Sequence, residues 1–166
     1  YYSRSKICLD QALQDFSDPH SIGYYFTNDQ ASTPVARRKE WFDNATPSGN
    51  SVMLHALSGI YALEGDSRYA KELAKTFPAY VHYAGKVASG VAHALEAAAV
   101  YQCGIIVIKV GEKADLKALR EALSMKSWMR VFIKFSAEIP SGNFQVCIDC
   151  KCHAPSRNLD IALAVF

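Results

Sequence analysis

No stretch of this sequence stays apolar for long. Its longest apolar runs, residues 105–110 and 160–166, fall far short of the roughly 20 residues that carry a helix across a bilayer, so neither a membrane-spanning helix nor a membrane partner is expected. Charge of one sign is also missing. The 18 basic and 16 acidic residues nearly cancel and leave no field that would draw nucleic acid to the molecule. Arg37, Arg38 and Lys39 form the one basic run, which is too short to change this. The chain contains no G-x-G-x-x-G, P-loop or G-x-S-x-G pattern, so nucleotide and esterase signatures are absent and no cofactor is expected. It does not begin with Met, and residues 1–10 have no apolar stretch of signal-peptide length. Ile7, Leu9, Ala12, Leu13 and Phe16 read as an amphipathic helix entered without preamble, and the expectation is a cytoplasmic C-terminal piece of a larger protein.

What is present is mixed α/β patterning in two parts, residues 1–102 and 103–166. After the first helix, Asp18 and Pro19 break the pattern, and the aromatic run 23–27 suits a short strand or hairpin arm. Residues 28–50 are mostly irregular. A helix is expected from Ser48 to a stop at Gly65, followed by one capped by Asp66 and kinked at Pro78, then an Ala-rich helix over residues 89–102. These read as stacked αα-hairpins. At Cys103 the period changes. Residues 105–110 are a continuous β-branched run typical of a buried strand, Leu116, Leu119 and Leu123 mark a crossover helix, and residues 129–135 make a second, parallel strand. A third strand, 144–148, and a last helix through Leu159, Ala162, Leu163 and Phe166 complete a small three-stranded subdomain.

The densest polar cluster, residues 37–51, lies just before and at the start of a helix. Helix N-termini present free N–H groups, Asp43, Asn44, Thr46, Ser48 and Asn50 supply donors and acceptors, and Trp41 offers a stacking face. That mixture suits a carbohydrate ligand, with Arg38, Trp41, Asp43, Ser48 and Asn50 as the candidate contacts. The plainer alternative has Ser48 or Asn50 capping the helix, Asp43 paired with an arginine and Trp41 in the core. Glycoside hydrolysis needs two carboxyl groups at a set separation, and Glu40 with Asp43 is the local pair. Both carboxylates can instead neutralise the basic run.

Cys147, Cys150, Cys152 and His153 place four soft-metal ligands within seven residues. A structural zinc site joins two separated ligand pairs, and no distant Cys-x-x-Cys partner exists, so no metal is expected there. The Cys147-x-x-Cys150 spacing is that of a redox motif, though it ends a strand where such motifs open a helix. Reduced thiols, with Cys147 in the core, are the default, and Cys8 and Cys103 read as core. His55 and His93 lie on helices and His20, His82 and His153 at surface or junction positions. None pairs with another ligand type at i, i+4, so each is read as a satisfied histidine.

The run RRKEWFDNATPSGNSV, residues 37–52, resembles a segment of the thioredoxin-domain-containing proteins related to spermatogenesis-associated protein 20. The Gly23-Tyr24-Tyr25-Phe26-Thr27 run, residues 104–110, and Val146-Cys147 with Cys152 and Pro155 are similar to further parts of that family. The resemblance implies an N-terminal thioredoxin-like domain, an α/α toroid like that of six-hairpin glycosidases and sugar epimerases, and a short α/β tail. On that reading the chain is the end of a carbohydrate-binding or carbohydrate-modifying toroid and is not expected to be catalytic alone. A glycosidase or epimerase is the enzyme alternative, and a redox or metal-binding accessory the third. Hairpins cut from a toroid expose apolar faces, so association with itself or with missing N-terminal domains is expected. Asp43, Ser48 and Asn50 are expected to converge on one concave site.

Overall fold

The computed structural model describes residues 2–32, 36–102, 105–124, 131–149 and 151–164. They form two compact units. The first comprises Tyr1–Tyr61 and Asp66–Ala99, the second Ala62–Gly65 and Val100–Phe166.

The first unit is helical. Helix α1 (Tyr2–Phe16) buries little beyond Leu9, and Cys8, expected in the core, is exposed. Helix α2 (Gly49–Glu64) starts where Ser48 accepts the Ser51 N–H on its hydroxyl, and stops before Gly65, whose φ of 70° only glycine adopts without strain. Asp66 then caps helix α3 (Ser67–Val87) by accepting the Arg68 N–H. Helix α3 continues through Pro78 as one element. The proline lacks an N–H for the Ala74 carbonyl, and both residues are exposed, so water can satisfy that oxygen. A 3-10 turn (Ala88–Val91) leads into helix α4 (Ala92–Gln102), so the Ala-rich segment begins with a tighter winding than one continuous helix. Leu54, Leu57, Tyr69, Leu73, Tyr80, Val91, Ala94 and Ala97 form its core. Each fully buried large side chain contributes roughly 1.5–3 kcal/mol by leaving water.

Residues 23–27 do not form a hairpin arm. Only Tyr24 pairs, through one bridge to Ser17 made by the Tyr25 N–H to the Phe16 carbonyl and the Asp18 N–H to the Gly23 carbonyl, and the pairing stops there because the Phe26 N–H donates to the Arg38 carbonyl.

The second unit holds a four-stranded mixed sheet, one strand more than expected, in the order β2-β1-β3-β4. Strand β1 (Ile106–Val110) is central and buried along nearly its whole length. Helix α5 (Leu116–Ser124) carries the chain over to β2 (Val131–Phe135), which runs parallel to β1 with Ile106 opposite Val131. Strand β3 (Phe144–Ile148) is antiparallel to β1. The added strand is the short β4 (Lys151–Cys152), which turns back on β3 after Asp149, a residue at positive φ. Helix α6 (Leu159–Leu163) ends the described chain. Ile106, Ile108 and Val110 of β1 and Phe144 and Val146 of β3 pack with Leu119 and Leu123 of α5 and Ala162 and Leu163 of α6, so both helices cover one sheet face. Cys103, Met129 and Phe166, assigned to core, strand and helix from the sequence, lie outside the described residues.

Candidate functional site

The basic run straps the first unit together. Arg37 donates to the Thr27 and Asp15 carbonyls and lies over the Tyr25 ring. Lys39 makes a buried ion pair with Asp18 at 2.7 Å and donates to the Ile22 carbonyl. Lys39, with the His20 N–H and the Tyr25 hydroxyl, holds the Asp18 carboxyl well below the usual carboxylate range. Arg38 points outward and pairs with Glu40 at 2.9 Å, over the Phe26 ring. Glu40 thus neutralises Arg38 and Asp18 neutralises Lys39, while Asp43 does not share in the basic run.

Asp43 instead gathers donors from three places. One carboxylate oxygen accepts the Ser48 N–H at 2.9 Å and the Ser51 hydroxyl at 2.7 Å, and the other accepts the His93 N–H at 2.9 Å. Its own N–H donates to the Gly90 carbonyl at 2.7 Å. Partial burial pushes its carboxyl up, but these hydrogen bonds outweigh it and leave the carboxyl below its ordinary value. The Ser48 and Ser51 hydroxyls, 2.9 Å apart, both approach the Tyr80 hydroxyl, and this network is buried.

Asn50 belongs to a different network. Its side chain accepts the Tyr24 N–H and donates to the Tyr24 and Glu40 carbonyls, bridging two irregular segments in a fully buried position. Trp41 is engaged edge-on by Tyr80 and tilted against Tyr83, and its ring lies so close to Gly23 that a Cβ there would sit 2.5 Å from two of its atoms. The expected convergence therefore fails for Asn50: Asp43 and Ser48 meet, Asn50 faces Tyr24, and all three side chains are occupied by protein partners. Glu40 and Asp43 lie on irregular chain with separate partners, not on one helix face.

Behind Asp43 stands a group that the sequence did not single out. His55 of α2 and His93 of α4 stack with ring centroids 4.0 Å apart and planes 26° from parallel. The Glu96 carboxylate lies 3.7 Å from His55 Nε2 and 3.5 Å from His93 Nδ1. His55 Nε2 is also 2.8 Å from the His93 carbonyl oxygen. Burial, then the neighbouring His93, pushes the His55 imidazole below its ordinary value, so it is neutral at pH 7 and Nε2 carries the proton donated to that carbonyl. The three side chains remain about a third exposed, at 29%, 31% and 42%. Phe42, itself exposed, lies near Gly90, three residues before His93, where an added Cβ would come 3.3 Å from its ring. A signal existed in the spacing of His93 and Glu96 at i, i+3 on one helix face, while His55 joins them only through the fold.

In the second unit, Cys147 and Cys152 are disulfide-bonded across the β3–β4 pair, which corrects the expectation of reduced thiols there. Directly paired strand positions bring two Cβ atoms within bonding reach. Neither sulfur is then a thiolate ligand. His153 is exposed and its N–H bonds Val146, while Cys150 lies outside the described residues. A cavity of about 600 Å³ opens at the ends of β1 and β2, walled by Val110, Glu112, Phe135, Glu138 and Ile139. No residue singled out from the sequence lines it.

No protein-family model matches the chain, and no curated protein sequence matches it.

Proposed function

We propose that the helical unit is a carbohydrate-handling module, part of an α/α toroid built from hairpins such as α2–α3, with His55, His93, Glu96 and Phe42 as its ligand-facing groups. The observation that carries this reading is the role of Asp43. Its carboxylate ties the 41–48 loop, the start of α2 and the start of α4 into one frame. The imidazoles and the Glu96 carboxylate project from that frame with part of their surface free. Sugars are held by such a combination, hydroxyls against imidazole and carboxylate and an apolar ring face against an aromatic side chain. The residue resemblance of the 37–52 segment supports the same ligand class. Asp43 and Ser48 act as positioning residues, and Arg38 and Trp41 border the loop.

Saturation-transfer NMR with neutral hexoses and amino sugars tests the reading. Transfer to sugar protons that disappears in His93→Ala supports it. Absent transfer at millimolar sugar, or transfer unchanged in that variant, rejects it.

One observation favours a second reading, a thiol–disulfide accessory: the Cys147–Cys152 bond has an exposed sulfur-bearing residue at Cys152. A redox titration against glutathione decides it. A midpoint within the glutathione range supports exchange, and a bond intact across that range makes it purely structural.

A further inference from the structure

We infer that His55, His93 and Glu96 bind a divalent transition-metal ion, leaving at least one coordination position open to solvent. The inference rests on taking this group as the site of the helical unit, though not on the ligand being a sugar.

One donor atom from each residue lies within 4.8 Å of the other two. The Glu96 oxygen stands 3.7 Å from His55 Nε2 and 3.5 Å from His93 Nδ1. Donors held at about 2.0–2.1 Å around a tetrahedral zinc ion are roughly 3.4 Å apart along each edge. Two edges of a coordination shell are therefore nearly in place without any ion. Two imidazoles and one carboxylate suit zinc, cobalt, nickel or iron(II), whereas calcium and magnesium favour all-oxygen shells. Three protein donors also leave a fourth position for water, the arrangement of catalytic and not of structural zinc.

The third edge needs a change. Near-parallel rings cannot both aim a lone pair at one ion, so metal binding turns one imidazole out of the stack. If the donor is His55 Nε2, the neutral ring carries its proton on Nδ1 instead, and the hydrogen bond to the His93 carbonyl is exchanged for the metal bond. The ring has room to turn because both imidazoles are partly exposed. A stack and one neutral hydrogen bond are weak beside two metal–nitrogen bonds. His93 and Glu96 are one helical turn apart, and the Asp43 carboxylate fixes the start of that helix through the His93 N–H, as outer-shell groups do around metal sites.

Calorimetric titration of zinc chloride into the full chain, with cobalt(II) absorption spectra in parallel, tests the inference. The expected result is one equivalent bound, cobalt bands of a four- or five-coordinate ion without a thiolate charge-transfer band, and binding weakened about tenfold or more in His93→Ala and in Glu96→Gln. Glu96→Gln keeps the side-chain shape, and circular dichroism of each variant verifies its fold. Absence of stoichiometric binding, or one equivalent that survives both substitutions, overturns the inference. Sugar binding is measured separately with chelator present. Zinc bound at these residues without any sugar response rejects only the carbohydrate reading, and a sugar response without zinc binding rejects only the metal.

Discussion

The carboxylate of Asp43 accepts the backbone N–H of His93, 50 residues further along the chain, at 2.9 Å. That bond joins the polar loop legible in the sequence to the histidine pair that was not. Asp43→Ala leaves the Ser48 N–H, Ser51 hydroxyl and His93 N–H without their acceptor, and is expected to cost about 2–4 kcal/mol in urea unfolding of the helical unit. Asp43→Asn keeps one oxygen but turns an NH2 towards a donor. If the oxygen stays with Ser48 and Ser51, the loss falls on His93, whose amide should exchange with solvent faster than that of Ser48.

At Asn50 the side-chain NH2 donates to two carbonyls, Tyr24 and Glu40. Asn50→Asp replaces that donor by an oxygen facing two oxygens in a fully buried place. It is expected to destabilise at neutral pH by at least as much as Asn50→Ala, about 2–4 kcal/mol. Lowering the pH protonates the new carboxyl and restores a donor, so part of the Asp variant's deficit should return. Chemical denaturation of both variants at neutral and acidic pH checks the order and the recovery.

Gly23 holds a φ of 87° with the Trp41 ring against it. Gly23→Ala meets a strained backbone conformation and an aromatic ring at once, and should cost about 3 kcal/mol or more. Near-UV circular dichroism should report displacement of the Trp41 ring, and an unchanged spectrum with unchanged stability would contradict the close approach.

Asp18 supplies the pH dependence. Lys39 and the hydrogen bonds around it depress its folded-state value, so its contribution is present above the unfolded value near 3.8 and is lost as pH falls through the folded value. The thermal midpoint should drop as the solution is acidified below roughly pH 4. Asp18→Asn, less stable at neutral pH, should show a flatter acid limb, and parallel limbs would count against the buried pair.

Reduction of the Cys147–Cys152 bond, which closes a loop with a sequence separation of 5, should lower the stability of the second unit by about 2 kcal/mol. Unfolding curves with and without reductant should differ for the native chain and coincide for the Cys147→Ala/Cys152→Ala double variant.

Local signals were legible where local physics decides. Gly65 and Asp66 end one helix and cap the next, and the β-branched run 106–110 forms the central strand. Strand β4 was hidden because two residues show no period of 2, although its pairing brings Cys147 and Cys152 together. The aromatic run 23–27 looked like a strand, but Tyr25 and Phe26 serve as faces for Arg37, Lys39 and Arg38. The candidate site was least legible. Its loop has no regular backbone pattern and is held by side chains reaching Tyr24 from Asn50 and His93 from Asp43. His55 meets His93 across 38 residues, which a search for ligands at i, i+4 does not reach.

If His55, His93 and Glu96 act as one ligand-binding group, they respond to a ligand together. Long-range nitrogen–proton NMR of the imidazoles during zinc titration tests it most directly, since each histidine gives its own signals. His55 and His93 should shift together and saturate at one equivalent while His20, His82 and His153 stay unmoved. Shifts confined to those three surface histidines, or no shift at His55 and His93, would contradict it.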